Sequence, residues 1–227
     1  MREVTIRAKL TPAQSHFIDS PSQFVALIGG VGSGKTYGGV AKALERSMEV
    51  VCDGMMIAPT YRMLKDSTLR TFKALAGDCI AEESKSDMRL TMANGSHILC
   101  RSAEDPDHLR GPSLNWAWLD EAAYMTEYIW PVVLGRLRDA VGEFKPMGFV
   151  TCTPKGMNWL YDVFVKQHTP EEGYEVIHTT TYDNKANLDS NYIQNLEQGY
   201  SGKYLAQEIK GEFVAFEGLI YDMFDEG

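Results

Sequence analysis

Long apolar runs are missing from this chain: the stretch Phe24 to Val31 falls far short of the roughly 20 residues that a membrane-crossing helix needs. Cysteine is sparse. Cys52, Cys79, Cys100 and Cys152 stand far apart, with no Cys-x-x-Cys pair, which excludes a zinc ribbon or a dithiol redox motif and leaves four reduced thiols packed in or near a core. The five histidines are equally scattered, so no metal-ligand cluster is visible. Positive charge is also short: 22 Lys and Arg face 31 Asp and Glu, a formal net charge of -9. That excludes a surface basic all round, as a stand-alone nucleic-acid coat would have, and leaves room for one local basic patch. If the chain acts on DNA, the main grip on the phosphate backbone is then expected from another part of a larger protein or assembly. The beginning, Met1-Arg2-Glu3, leads into mixed polar and apolar residues rather than the apolar segment and cleavage site of a secretory signal, so a cytoplasmic location is expected.

Repeats, low-complexity tracts and Pro/Gly/Ser-rich linkers are absent too, which favours one domain. What is present is a globular composition, 44% hydrophobic and 23% charged, arranged as alternating strands and helices. Phe24 to Ile28 reads as a short apolar strand, and Thr36 to Glu49 as a helix with Val40, Ala43, Leu44 and Met48 at helical spacing. Gly54 to Ala58 is a second strand closed by Pro59, and Tyr61 to Leu75 has helical periodicity up to Gly77. Met88 to Met92 and Ser96 to Arg101 flank Asn94-Gly95, a dipeptide suited to the positive φ angles of a two-residue hairpin turn. Trp116 to Leu119 is an apolar strand ending in acid. The segment from Met125 to Arg138 is expected to be helical, kinked or split by Pro131. Gly148 to Thr151 and Tyr174 to Thr180 read as strands, Asn158 to Gln167 as a helix, and Asp189 to Lys210 as a broken helix. The fold class that follows is α/β, a mostly parallel sheet flanked by helices, with a β-hairpin excursion before the acidic strand.

Gly29-Gly30-Val31-Gly32-Ser33-Gly34-Lys35-Thr36 matches the P-loop (Walker A) pattern at every fixed position and lies between a predicted strand and a predicted helix. Such a loop cradles phosphates with backbone N–H groups, and its glycines allow the close approach and positive φ angles this needs. Lys35 is expected to neutralise the β- and γ-phosphates of ATP, and the Thr36 hydroxyl to coordinate Mg2+. The strand Trp116-Ala117-Trp118-Leu119 delivers Asp120 and Glu121 to the strand end, where open α/β sheets bind ligands. In this Walker B reading Asp120 holds the magnesium and Glu121 is the general base for the attacking water; the same pair, taken alone, would equally suit the cap of a following helix. Thr151-Cys152-Thr153-Pro154 places the Thr151 and Thr153 hydroxyls where a γ-phosphate sensor is needed, although a plain threonine-rich turn would read the same way.

Together these elements resemble the ATPase domain of the large terminase subunit, the DNA-packaging motor of tailed bacteriophages. The likeness rests on Leu10-Thr11-Pro12-Ala13-Gln14, on the P-loop, on Thr151-Cys152-Thr153-Pro154, and above all on the run from Arg101 to Pro112 that leads into the acidic strand. The resemblance implies a RecA-like P-loop fold, ATP with Mg2+ as cofactors, and Gln14 as the residue that reads adenine. It implies double-stranded DNA, the small terminase subunit and a homo-oligomeric ring, a pentamer on the portal, as partners, with no membrane, in the cytoplasm of the infected bacterial host. The expected organisation is an ATPase domain over 1–210, with 211–227 leading toward a nuclease domain that this chain lacks, Asp222, Asp225 and Glu226 being an exposed acidic end.

Val31 departs from many family members, which carry an arginine in the P-loop. A charge-neutralising arginine is therefore expected from elsewhere, with Arg136 and Arg138 the first candidates and Arg101 and Arg110 the second; for Arg136 and Arg138 a solvated helix end is the competing reading. Lys65, Arg70 and Lys73 could form a local basic face, a solvated helix surface being the plainer reading. Two other functions share parts of the pattern: a superfamily 2 helicase or translocase fragment, and an assembly scaffold that holds ATP without cutting it.

Overall fold

The computed structural model describes residues 8–216; Asp222, Asp225 and Glu226 lie outside the described residues. Eight strands form one sheet: β1 (Phe24–Gly29), β2 (Asp53–Ala58), β3 (Ile80–Ser84), β4 (Arg89–Met92), β5 (His97–Ser102), β6 (Trp116–Asp120), β7 (Met147–Cys152) and β8 (Tyr174–Thr179). Their spatial order is β3-β4-β5-β2-β6-β7-β1-β8. The pairs from β5 to β8 are parallel, and β3, β4 and β5 are joined antiparallel. Every residue of β6 and β7 is buried, which is why both read as near-continuous apolar runs: helices cover both faces of the sheet.

Successive residues of a strand face opposite sides, so each strand feeds two cores. Leu27, Met56, Trp118 and Phe149 join one cluster, together with Phe17 of α1 (Pro12–Asp19), Val40 and Leu44 of α2 (Lys35–Glu49) and Phe72. Ile28, Ile57, Leu119 and Val150 join the other with Trp130, Leu160 and Phe164. The first cluster clamps α2, which carries the P-loop, onto β6, which carries the acids. Lys42 of α2 tightens the same joint: its ammonium, 1% exposed, donates to the carbonyls of Phe17 and Ile18, each at 2.9 Å, at the end of α1. A cation suits that position, because the last carbonyls of a helix have no intrahelical donor.

Several expectations change in detail. The hairpin at Asn94-Gly95 forms, though not with a two-residue turn: of the two residues only Gly95 takes a positive φ, +96°, and Met92 closes the loop by accepting from Gly95 N–H and donating to the Ser96 carbonyl. It widens the main sheet, because β5 runs parallel to β2 while pairing back with β4. The helix predicted from Tyr61 is real but not uniform: α3 (Tyr61–Met63) passes into a π-helical turn, Leu64–Leu69, before α4 (Arg70–Ala76). The helix predicted to reach Arg138 is only α5 (Ile129–Leu134), and Pro131 neither kinks nor splits it. Pro131 is the third residue of α5, in the first turn, where a missing N–H breaks no helical bond. Beyond α5 the chain leaves helix, and Leu137 forms a parallel bridge with Leu114. The remaining helices are α6 (Trp159–Tyr161), continued by a π turn Asp162–Gln167, then α7 (Tyr192–Gly199) and α8 (Gly202–Glu208). Among the described residues, no helix is long and apolar enough to cross a membrane.

The joint between α2 and β6 depends on Gly39. A Cβ there would lie 2.2 Å from Cζ2 and 2.3 Å from Cε2 of Trp118, a fully buried ring stacked on Phe149. Helix propensity alone would favour alanine by about 1 kcal/mol, but with two ring atoms this close and neither ring able to yield, the upper part of the usual overpacking cost applies, about 2–3 kcal/mol. Gly39→Ala should therefore lower the urea midpoint without changing the slope, a net loss of about 1–2 kcal/mol once the propensity gain is set against the strain; an unchanged or raised midpoint would refute this packing.

Candidate active site

The parallel strands end along one edge of the sheet, and the chain places its chemistry there. The P-loop leaves β1 and turns into α2 with Gly32 at φ +71° and Gly34 at φ +85°. Gly34 is the cap of α2 and offers no side chain, so the first N–H groups of the helix have no intrahelical acceptor and face the loop. Lys35, 5% exposed, folds back to donate from Nζ to the carbonyl of Gly30 at 2.8 Å. Ser33 Oγ is buried with no hydrogen-bond partner among the described residues. The outer side of the loop is held by the C-terminal part of the chain. Val31 N–H donates to the Glu208 carbonyl at 2.6 Å, Thr181 Oγ1 donates to the Val31 carbonyl at 2.7 Å, and Asn184 Nδ2 donates to the Gly32 carbonyl at 2.7 Å.

Asp120, 2% exposed, ends β6 beside this loop, inside a ring of three hydroxyls. Thr151 Oγ1 donates to its Oδ1 at 2.7 Å and Thr36 Oγ1 to the same oxygen at 3.1 Å, while Thr68 Oγ1 donates to Oδ2 at 2.7 Å. Burial raises the Asp120 carboxyl above the ordinary carboxylate range, and these hydroxyls and Lys35 oppose it. Glu121 follows in a left-handed conformation, φ +52° and ψ +41°. A non-glycine residue there costs on the order of 1–3 kcal/mol and persists only where the surroundings enforce it. The turn brings Glu121 to the wall of a cavity of about 310 Å³ that Val31, Gly32, Lys35, Thr36 and Thr153 also line. Burial raises this carboxyl as well, with Lys35 pulling the other way.

The donors fit a magnesium nucleotide. Thr36 and Asp120 offer hard oxygens 3.1 Å apart, and no group of three His, Cys, Asp or Glu able to hold a metal occurs among the described residues. Magnesium suits such a sparse set, because it keeps waters and shares phosphate oxygens rather than needing an all-protein cage.

The other predicted residues divide. Gly29 to Thr36, Asp120, Glu121 and Thr153 converge on the P-loop. Thr151 does not line the cavity: it is fully buried behind Asp120, and its hydroxyl also accepts from Trp118 Nε1 at 2.9 Å. Gln14 lies at a second cleft of about 320 Å³ that meets the first at Gly34 and Tyr37 and is completed by Lys9, Asn184 and Asn187. Its amide is largely committed, since Oε1 accepts from Thr11 N–H and Nε2 donates to the Gly34 carbonyl, each at 2.8 Å. Arg136 and Arg138 sit at the opposite end of the strands, where Leu114 N–H donates to the Arg136 carbonyl and Met147 N–H to the Asn115 carbonyl. Arg138 Nε donates to Ser113 Oγ at 2.5 Å. Arg101 anchors the hairpin through the carbonyls of Asp87 and Met88, and Arg110 pairs with Asp107 at 2.6 Å on the surface.

Thr68, Thr181 and Asn184 were not legible in the sequence. Thr68 carries the sharpest consequence, because its replacement by valine strips a donor from a buried carboxylate oxygen. Such a loss costs about 1–3 kcal/mol, so Thr68→Val should destabilise the chain by that amount in urea unfolding, while Thr68→Ser should restore most of it; equal stability of all three forms would show the bond to be idle.

Residues 22–211 match the family model described as phage terminase large subunit. The large terminase subunit of Escherichia phage T5 is 27% identical over 190 residues, covering 82% of this chain and 42% of that protein. The large terminase of a thermophilic bacteriophage, solved in complex with ADP, superposes with a TM-score of 0.79 at 21% identity, covering 96% of this chain and 56% of that one. The large terminase ATPase domain of Thermus phage P74-26 superposes with a TM-score of 0.65 at 21% identity, covering 91% and 94%. The chain thus spans less than half the length of the T5 relative and takes the fold of a terminase ATPase domain. With a P-loop facing an Asp-Glu strand end and a family model running through nearly the whole described sheet, the chain belongs to the phage terminase large subunit family.

Proposed function

We propose that this chain hydrolyses ATP with Mg2+ and that hydrolysis drives double-stranded viral DNA into a procapsid. The observation that carries the proposal is the Thr36–Asp120 contact of 3.1 Å, which joins the P-loop helix to the acidic strand around one point. ADP bound to the large terminase of the thermophilic phage supports the nucleotide assignment. Thr36 and Asp120 would hold the magnesium, whose charge would offset that of the phosphates. Lys35 would exchange the Gly30 carbonyl for a phosphate oxygen, a stronger charge-assisted bond. Glu121, fixed by its left-handed turn at the cavity wall, would orient the attacking water and take its proton as the bond to the ADP oxygen breaks.

Glu121→Gln should therefore retain nucleotide affinity and reduce phosphate release by about 10² to 10⁴ fold, the usual weight of a general base. Near-background release from both forms would support a holding scaffold in place of an ATPase.

Among the described residues, Lys35 is the one arginine or lysine on the phosphate cavity, and Val31 supplies no charge. Arg136 and Arg138 stand at the far end of their own sheet, so either could serve only a neighbouring subunit, in a homo-oligomeric ring such as a pentamer on the portal. An arginine supplied in trans is worth roughly 10³ to 10⁵ in rate. The ring, the small terminase subunit, DNA and the host cytoplasm belong to this proposal through the family. Hydrolysis should rise more steeply than linearly with protein concentration. Arg136→Ala or Arg138→Ala should abolish turnover while sparing nucleotide affinity, and should poison native subunits when mixed in. Full activity of both variants would remove these two arginines from the reaction.

A further inference from the structure

The cleft next to the P-loop contains a chain of side-chain amides whose orientation is set by the backbone. The Gly32 carbonyl can only accept, so the Asn184 group facing it at 2.7 Å is Nδ2. That turns Asn184 Oδ1 toward Asn187, and the atom meeting it at 2.8 Å must be a donor, Asn187 Nδ2. By elimination the other end of the Asn187 amide is the carbonyl oxygen. It has no hydrogen-bond donor among the described residues, and Asn187 lines the cleft with Gln14 and Tyr37. The neighbouring amide is fixed in the same way: Thr11 N–H takes Gln14 Oε1 and the Gly34 carbonyl takes Nε2, leaving one N–H uncommitted.

The cleft therefore offers one carbonyl acceptor at Asn187 and one N–H donor at Gln14, a pairing with a definite preference among nucleobases. A 6-amino purine presents an exocyclic N–H for the first and a ring nitrogen acceptor for the second. A 6-oxo purine would turn its own carbonyl oxygen toward that of Asn187, and neither could be satisfied. We propose that Asn187 is a specificity-determining residue that selects 6-amino over 6-oxo purine nucleotides through its free Oδ1. Gln14, committed to Thr11 and Gly34, positions the P-loop as much as it reads the base. The inference rests on the nucleotide reading above and adds to it the residue that chooses the base. It also joins base choice to loop geometry, because the amide that orients Asn187 is the one that holds the Gly32 carbonyl.

ADP and IDP differ in this respect only at the purine 6-position and cannot be hydrolysed at a γ-phosphate, so equilibrium binding by calorimetry in the presence of magnesium tests the idea, with tripolyphosphate as a probe of the P-loop alone. The native chain should bind ADP about tenfold more tightly than IDP, the upper range for one net hydrogen bond. Asn187→Ala, at an exposed position and so compatible with folding, should bring the two affinities to within about twofold while tripolyphosphate affinity holds. The inference is overturned if the variant keeps the native ADP-to-IDP ratio, if the native chain shows no preference, or if the variant weakens ADP, IDP and tripolyphosphate alike. If neither ADP nor tripolyphosphate binds the native chain, the nucleotide reading itself fails and takes this inference with it.

Discussion

One buried carboxylate organises this molecule. Asp120 lies within a fully buried strand, where an ionised acid is costly unless its oxygens are hydrogen-bonded. The chain meets them with three hydroxyls from three elements: Thr36 from the P-loop helix, Thr68 from the π turn before α4, and Thr151 from the next strand. Each hydroxyl is a weak partner compared with a cation, and the choice has a functional logic. An arginine in their place would hold the acid permanently, whereas a hydroxyl can turn aside when a divalent cation arrives. The same need explains the π turn. It adds a residue to the helix from Tyr61, and with it Thr68 comes to face the sheet edge while Leu64 and Leu69 remain in the core.

A second constraint binds the two ends of the domain together. The P-loop follows the first strand, yet its outer carbonyls and one N–H are satisfied by Thr181, Asn184 and Glu208, far along the chain. The loop thus faces the cavity on one side and the C-terminal segments on the other. Any change in its shape on nucleotide binding must pass to α8 and the residues after β8, since those contacts are direct hydrogen bonds to the loop backbone. Phe213, just beyond, packs against Tyr161, so residues 211–213 remain attached to the body of the domain.

What the sequence made legible was chemistry written in contiguous residues. The P-loop could be read because its glycines, lysine and threonine are adjacent and the strand and helix around them have clear periods. The acid pair could be read because it ends an apolar run. Thr68 could not, since its role depends on a π turn that no local pattern marks, and Asn184 could not, since its partner is 152 residues away. β3 escaped notice for a different reason: Glu82 and Glu83, adjacent and both exposed, put charge on an edge strand, which discourages further pairing and erases the apolar alternation by which strands are found. α1 was hidden by its brevity, although Thr11 and Gln14 form a capping box that marks its start. Pro131 misled because its effect depends on position, and the first turn of a helix tolerates it.

The charge balance of the cavity at the P-loop is one-sided. Glu121 lines it and Asp120 stands just behind, while Lys35 is its single basic side chain among the described residues. A triphosphate adds several negative charges, and one divalent cation with one lysine leaves a deficit that must grow as charge develops on the transferring phosphoryl group. The surrounding protein does not make it up, for the chain as a whole has a net charge of -9. Nor do the four candidate arginines of the same subunit, because Arg101 and Arg110 are engaged elsewhere and Arg136 and Arg138 stand at the other end of the sheet. If the proposed ATPase works as a ring, the missing positive charge would come from a neighbouring copy, whose Arg136 and Arg138 lie at its own far end of the strands.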